Sequence, residues 1–87
     1  MRKFALGQLR ATPGALRSLT QDDLLTTIQR HARGDWGELG AEDRAANDAA
    51  LHDGSRLLSA YTVNGERLWV ITEADRSATT VLLPQEY

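Results

Sequence analysis

Ser59-Ala60-Tyr61-Thr62-Val63-Asn64-Gly65-Glu66-Arg67-Leu68-Trp69-Val70-Ile71 decides the fold of this chain. Two runs rich in β-branched and aromatic residues flank Asn64-Gly65, and a type I′ reversal needs positive φ at both central positions, which Asn and Gly tolerate. Arg56 to Val63 and Glu66 to Glu73 are therefore the arms of a hairpin. A two-residue turn also sets the register. Tyr61 should face Leu68 and Ser59 should face Val70, while on the other side Ala60 faces Trp69 and Leu58 faces Ile71. Both faces carry apolar residues, so the strand Leu68 to Ile71 is expected to be central, with its second face covered by a loop or another subunit.

Downstream, Ala74-Asp75-Arg76-Ser77 connects to a last strand, Thr79 to Leu83, which Pro84 ends because proline cannot donate to a ladder. Upstream, Ala41 to Asp53 reads as a helix. Glu42 and Asp43 lie in its first turn, Gly54 closes it, and Ala45, Ala46, Ala49, Ala50 and Leu51 offer an alanine-rich face for close approach. Gly34-Asp35-Trp36-Gly37-Glu38-Leu39-Gly40, with three glycines in seven residues, is a loop whose Trp and Leu should fold back onto the core. Before it, Thr20-Gln21-Asp22-Asp23 carries helix-start chemistry, and Leu24, Leu25, Ile28 and Ala32 form one apolar stripe that Gly34 terminates. A short helical piece spans Pro13 to Leu19, and Lys3 to Thr12 reads as a first strand weakened by Gly7. The order β-(α)-α-α-β-β-β predicts an α+β fold: a four-stranded, mainly antiparallel sheet with the helices packed on one face.

At 87 residues the chain accommodates one domain, 1–87, because a second independent core could not be built at this size. Its 41% hydrophobic and 25% charged residues are those of an ordinary folded protein. The formal charge is −2, so the broad basic footprint on which non-specific nucleic-acid binding depends is absent and a nucleic-acid partner, left open, is not favoured by charge. There is no cysteine, so disulfides, iron–sulfur clusters and thiolate zinc sites are excluded. The start of the chain reaches Gln8 and Arg10 before an apolar run of signal-peptide length can form, and no run approaches the ~20 apolar residues of a membrane span. The expected setting is cytoplasmic, with no membrane attachment.

Three groups of side chains have types that can carry chemistry. His31, Asp35 and Trp36 gather at the end of the second helical segment. There His31 can act as a proton carrier held by Asp35, or can simply join Arg30 and Arg33 in opposing the negative end of the helix dipole while Trp36 plugs the core. Glu73, Asp75 and Arg76 lie in the loop before the last strand, and Arg67 on the hairpin can join Arg76 in gripping a phosphate or carboxylate. The plainer alternative pairs Arg76 with Glu73 or Asp75 in an ordinary turn. Asp43, Asn47 and Asp53 lie on or near the third helix, the first two on one face, without forming an acid–base pair. His31 and His52 lack zinc-ligand spacing, and no phosphate-binding glycine loop or nucleophile elbow occurs. No catalytic residue, metal or cofactor is assigned.

Arg30-His31-Ala32-Arg33-Gly34-Asp35-Trp36-Gly37, Asp43-Arg44-Ala45-Ala46-Asn47-Asp48-Ala49-Ala50-Leu51, Ser55-Arg56-Leu57-Leu58-Ser59-Ala60-Tyr61 and the stretch from Ile71 to Tyr87 resemble a group of short bacterial proteins. These are described as plasmid-related or hypothetical, and sometimes as a restriction-system subunit. The resemblance covers roughly two-thirds of the chain and implies a mobile-element setting without an established activity. In topology alone the chain is similar to RelE-type toxins, which are ribosome-dependent ribonucleases with a strand, two helices and a run of strands. It departs from them in its acidic balance and lack of an RNA-gripping surface, and no catalytic residue carries over.

These readings make the chain a small non-catalytic binding or regulatory module of a plasmid or integrated element, acting through a protein partner or a homodimer. Two alternatives remain: a RelE-like ribonuclease using Arg67, Arg76, His31 or Tyr61, and an acidic inhibitor of a host restriction or defence enzyme.

Overall fold

In the computed structural model, which describes residues 2–87, the hairpin forms as its turn chemistry requires. Asn64 and Gly65 take φ of 52° and 80°. Strand β2 (Leu57–Val63) pairs antiparallel with β3 (Glu66–Thr72), matching Tyr61 to Leu68, Ser59 to Val70, Ala60 to Trp69 and Leu58 to Ile71. On its other side β3 pairs antiparallel with β4 (Ala78–Leu82). The central place of β3 is why both of its faces are apolar.

The remaining strand, β1 (Gln8–Ala11), is shorter than Lys3 to Thr12 and pairs parallel with β4, giving the order β1-β4-β3-β2. The sheet is thus mixed rather than mainly antiparallel. The connection from β1 to β2 is helical and returns the chain to the end from which it started. β2 therefore runs with β1, and after two hairpin reversals so does β4. Strand pairing begins only at Gln8. Gly7 lies at positive φ directly against the Arg76 and Ser77 backbone, and Lys3 donates its N–H to the Ala32 carbonyl at 2.8 Å.

Helix α1 (Pro13–Ser18) is capped by Thr12, whose hydroxyl accepts the Ala15 N–H. Helix α2 (Gln21–Ala32) opens with a reciprocal cap between Thr20 and Asp23, and the Asn64 side chain of the hairpin tip donates to the same Asp23 carboxylate at 3.2 Å. It closes with Gly34 N–H on the His31 carbonyl and Asp35 N–H on the Arg30 carbonyl, the paired bonds of a Schellman ending. The core on this side of the sheet joins Leu6, Ala15, Leu19, Ile28 and Ala32 to Tyr61, Leu68, Val70 and Val81.

Helix α3 (Ala41–Asp53) departs from the expected arrangement. Its alanine face is not its docking face: Ala45, Ala46 and Ala49 are exposed, and only Asn47 and Ala50 are buried. It lies against the outer edge of β2, where the Asn47 amide donates to the Leu58 carbonyl at 2.6 Å and accepts the Leu58 N–H at 3.1 Å. One side chain thereby supplies both bonds that a neighbouring strand would make. The loop after α2 covers the next position of the same edge, with Ala60 N–H on the Trp36 carbonyl and Glu38 N–H on the Ala60 carbonyl. These contacts cover the β2 edge at Leu58 and Ala60.

The face of the sheet opposite α1 and α2 carries Leu58, Trp69 and Ile71. The C-terminal turn Pro84–Glu86 brings Tyr87 against it, with the Tyr87 and Trp69 rings edge to face at 5.6 Å and Arg56 bound to the Tyr87 hydroxyl. Glu86 holds the turn in place by accepting from the Thr12 hydroxyl, Gly14 N–H and Leu83 N–H. These bonds hold the Glu86 carboxyl below the usual carboxylate range, the Thr12 hydroxyl contributing most. Among the described residues no helix is long and apolar enough to cross a membrane.

Candidate functional site

The strongest concentration of polar side chains in the interior is built around His31. Its Nδ1 lies 2.5 Å from the Ser59 hydroxyl and its Nε2 2.9 Å from the Thr72 hydroxyl. Thr72 contacts Thr79 at 2.7 Å, and Thr79 donates to the Leu6 carbonyl at 2.7 Å. His31, Ser59, Thr72 and Thr79 are all 0% exposed.

The far end of this chain sets the direction of every bond in it. A carbonyl only accepts, so the single Thr79 proton goes to Leu6, and Thr79 must accept from Thr72. Thr72 then accepts from His31, which places the imidazole proton on Nε2 and leaves Nδ1 to accept from Ser59. The ring is neutral in this tautomer. Burial pushes its pKa down to about 4, since a charged imidazolium would have no compensating anion.

A serine hydroxyl donating to an imidazole is the contact from which nucleophilic catalysis starts. Here the second ring nitrogen meets a threonine hydroxyl instead of a carboxylate, and no substrate atom can reach a serine that is 0% exposed. The arrangement ties α2 to β2, β3, β4 and the segment before β1. It is a polar bolt through the core.

Asp35 does not hold His31. Its carboxylate takes the Arg30 guanidinium at 2.7 Å and the Gly37 N–H at 3.2 Å, and Arg30 lies over the Tyr61 ring at 4.5 Å. The Arg30 bond holds the Asp35 carboxyl low, and Asp35 in turn raises Arg30. Nor does His31 oppose the helix dipole with a charge, because its ring turns inward to stand edge-on to Phe4 and Trp36 at 5.2 and 5.8 Å. Trp36 is 3% exposed and packs on Ala50 and Leu57, with its indole N–H donated to Asp48 at 3.0 Å. Burial raises the Tyr61 phenol to about 12, and its hydroxyl donates to the Asp35 carbonyl.

Arg67 and Arg76 do not meet. Arg67 stands near the hairpin tip with Glu38 at 3.6 Å, whereas Arg76 is at the opposite end of β3. The Arg76 guanidinium donates to the carbonyls of Ser55 (2.6 Å), Ala50 (2.9 Å), Glu73 and Ala74 (both 3.2 Å), pinning the end of α3 to the loop before β4. It pairs with neither the Glu73 nor the Asp75 carboxylate. Asp75 turns to Ser77, whose side chain and N–H hold its carboxyl below the usual range. Glu73, Asp75 and Arg76 thus share a loop without sharing a ligand-facing geometry. Among the described residues no three His, Asp or Glu side chains gather as a metal would need.

The surface feature that composition did not reveal is the other edge of the sheet. The N–H groups of Gln8 and Thr12 point to β4, at the Ser77 and Val81 carbonyls, so the alternating backbone groups of Leu9 and Ala11 point outward. Beside them Leu6, Leu9, Leu25, Ile28, Gln29, Ala32, Arg2 and Arg33 line a groove of about 460 Å³. Leu9 and Leu25 are each 52% exposed. The signal in the sequence was the stripe Leu24, Leu25, Ile28 and Ala32, which is wider than the sheet beneath α2 can cover. Comparison with family models, with curated proteins and with solved structures finds no match to this chain.

Proposed function

We propose that this chain is a non-catalytic protein-binding module, acting in the setting of a plasmid or integrated element, and that a partner docks along β1. The observation that carries this reading is the contrast between the two sheet edges. Asn47, Trp36 and Glu38 bond the outer backbone groups of Leu58 and Ala60 in β2, while Leu9 and Ala11 leave those of β1 unpaired beside two half-exposed leucines. Natural sheets blunt the edges they do not use, and strand addition to an open edge is a recurring mode of peptide recognition.

The side chains that a ribonuclease reading needs have other duties. His31 and Tyr61 are buried and Arg76 binds backbone carbonyls, which leaves Arg67 alone on the surface with Glu38. A photoreactive amino acid placed at Leu9 in the host, with a control at His52 on α3, tests the module. A discrete cross-linked partner at Leu9 and none at His52 supports it. Absence of any Leu9-specific product, together with growth arrest and RNA cleavage on expression, would replace it with the toxin reading.

A further inference from the structure

Resting on the binding-module reading, we infer that the occupant of the β1 edge is a second copy of this chain, whose β1 pairs antiparallel with the first about a two-fold axis at Leu9 and joins the two sheets into one. Each copy then completes the groove of the other.

Backbone geometry selects the register. Leu9 and Ala11 carry the outward N–H and C=O groups, so with the axis at Leu9 the two copies of that residue exchange both backbone bonds. On the face away from the helices, exposed Arg10 then lies across from Gln8 of the copy, the residue type it already bonds within its own chain. Moving the axis to Arg10 sets two guanidiniums directly opposite each other. Moving it to Ala11 sets Leu9 against Pro13, which has no N–H to give, and moving it to Gln8 sets Leu9 against Gly7, whose φ of 64° leaves strand geometry.

The helix face is self-complementary in the same arrangement. β1 runs the same way as β2, whose far end carries Asn64 bonded to Asp23 at the start of α2, so β1 runs from the end of α2 toward its start. Arg2 and Arg33 therefore lie before Leu9 along this direction, and Asp22 lies beyond it. Asp22 continues the stripe of Leu25, Gln29 and Arg33 at helical spacing. Rotation about Leu9 lays the Asp22 of each copy at the Arg2 and Arg33 end of the other, and none of these three residues forms an ion pair within the chain, among the described residues. The copy also brings apolar surface. Its Leu9 stands beside the groove of about 460 Å³, and the α1 that follows its β1 carries Leu16, 57% exposed, to the end where the first β1 begins.

The full chain should sediment as a dimer at micromolar concentration, with the Leu9 amide protected from exchange there and released on dilution to the monomer. Asp22→Arg and Arg33→Glu, both at exposed positions, should each weaken dimerisation by at least about tenfold. An equimolar mixture of the two variants should recover it, because both ends of the mixed interface again join opposite charges. The chain holds no cysteine, so Leu9→Cys reports the axis alone: oxidation should link two copies through it, and far more slowly through Arg10→Cys. A chain that stays monomeric, a dimer with an unprotected Leu9 amide, a mixture no tighter than the single variants, or faster linking through Arg10→Cys overturns the inference. A monomer that still gives a Leu9 cross-link to another protein in the host rejects the second copy and leaves the binding module standing; a monomer without any Leu9 cross-link removes both.

Discussion

His31 Nε2 stands 2.9 Å from the Thr72 hydroxyl, and through Thr72 and Thr79 its proton is ultimately oriented by the Leu6 carbonyl, just before the strand at the opposite edge of the sheet. A histidine that sequence alone offers as a base is thereby converted into a neutral, one-tautomer component of the core. The cost of that arrangement is paid when the ring takes up a proton, because neither Ser59 nor Thr72 can stabilise a cation as water does.

Stability should fall as the solution is acidified through the histidine range. The folded-state pKa of about 4 lies below the unfolded value of 6.5, so the unfolded chain binds a proton that the native chain refuses. The contribution is fully present above pH 6.5 and disappears as pH drops toward 4, a loss on the order of 3 kcal/mol. Urea midpoints across this window should show that limb, and His31→Gln, which cannot titrate, should flatten it. The carboxyls of Asp35, Asp53, Asp75 and Glu86 are held below their usual range, so their losses belong to still lower pH.

Asn47 gives a second test, on the closed edge of the sheet. Asn47→Ala leaves the Leu58 N–H and C=O unpaired in a half-buried position, costing about 2 kcal/mol. Asn47→Asp should be at least as damaging at neutral pH, since a carboxylate accepts from Leu58 N–H but faces its carbonyl without a donor. Denaturant midpoints and hydrogen exchange at Leu58 report both variants, and an unchanged Leu58 exchange rate would show that α3 does not seal the edge.

The hairpin was legible because its determinants are local. Asn64-Gly65 sets both turn geometry and register, and every cross-strand pair from Leu57 to Val63 follows from it. The α+β class followed from the order of periodic segments. The parallel pairing of β1 was not legible, because strand order depends on where three helices return the chain. Nor was the role of Asn47: a polar residue amid alanines reads as solvent-facing, while the unpaired strand it bonds to lies eleven residues away. Arg76 and Asp35 were visible as charged loop residues, but their partners are backbone groups and Arg30, which no spacing rule singles out among several candidates.

Gly37 should tolerate no side chain. It sits at φ of 74°, and a Cβ there falls on the Ala60 carbonyl oxygen and the Tyr61 ring, the point where the loop adds to the β2 edge. Gly37→Ala is expected to cost about 2 kcal/mol or more, while Gly40→Ala, with nothing within 4 Å and an ordinary φ of −69°, should stay within about 0.5 kcal/mol of the parent. Thermal melts of the two variants measure the contrast directly, and equal melting temperatures would mean that the loop is not seated against Ala60.

Arg76 separates structure from chemistry most sharply. Its guanidinium fork reaches Ala50 at the end of α3 and Ser55, Glu73 and Ala74 in the flanking segments, a span that a single ammonium cannot reproduce. Arg76→Lys should therefore destabilise by about 1 kcal/mol and Arg76→Ala by about 2 kcal/mol, in each case with faster exchange of the Gly54 amide that closes α3 on Ala50. A catalytic arginine behaves otherwise: its removal abolishes an activity and leaves the melting temperature and the Gly54 amide untouched. That pattern, found for Arg76→Ala in cells where the parent chain arrests growth, would restore the ribonuclease reading, whereas a destabilised variant of a chain without such an effect leaves Arg76 as the clasp between α3 and the sheet.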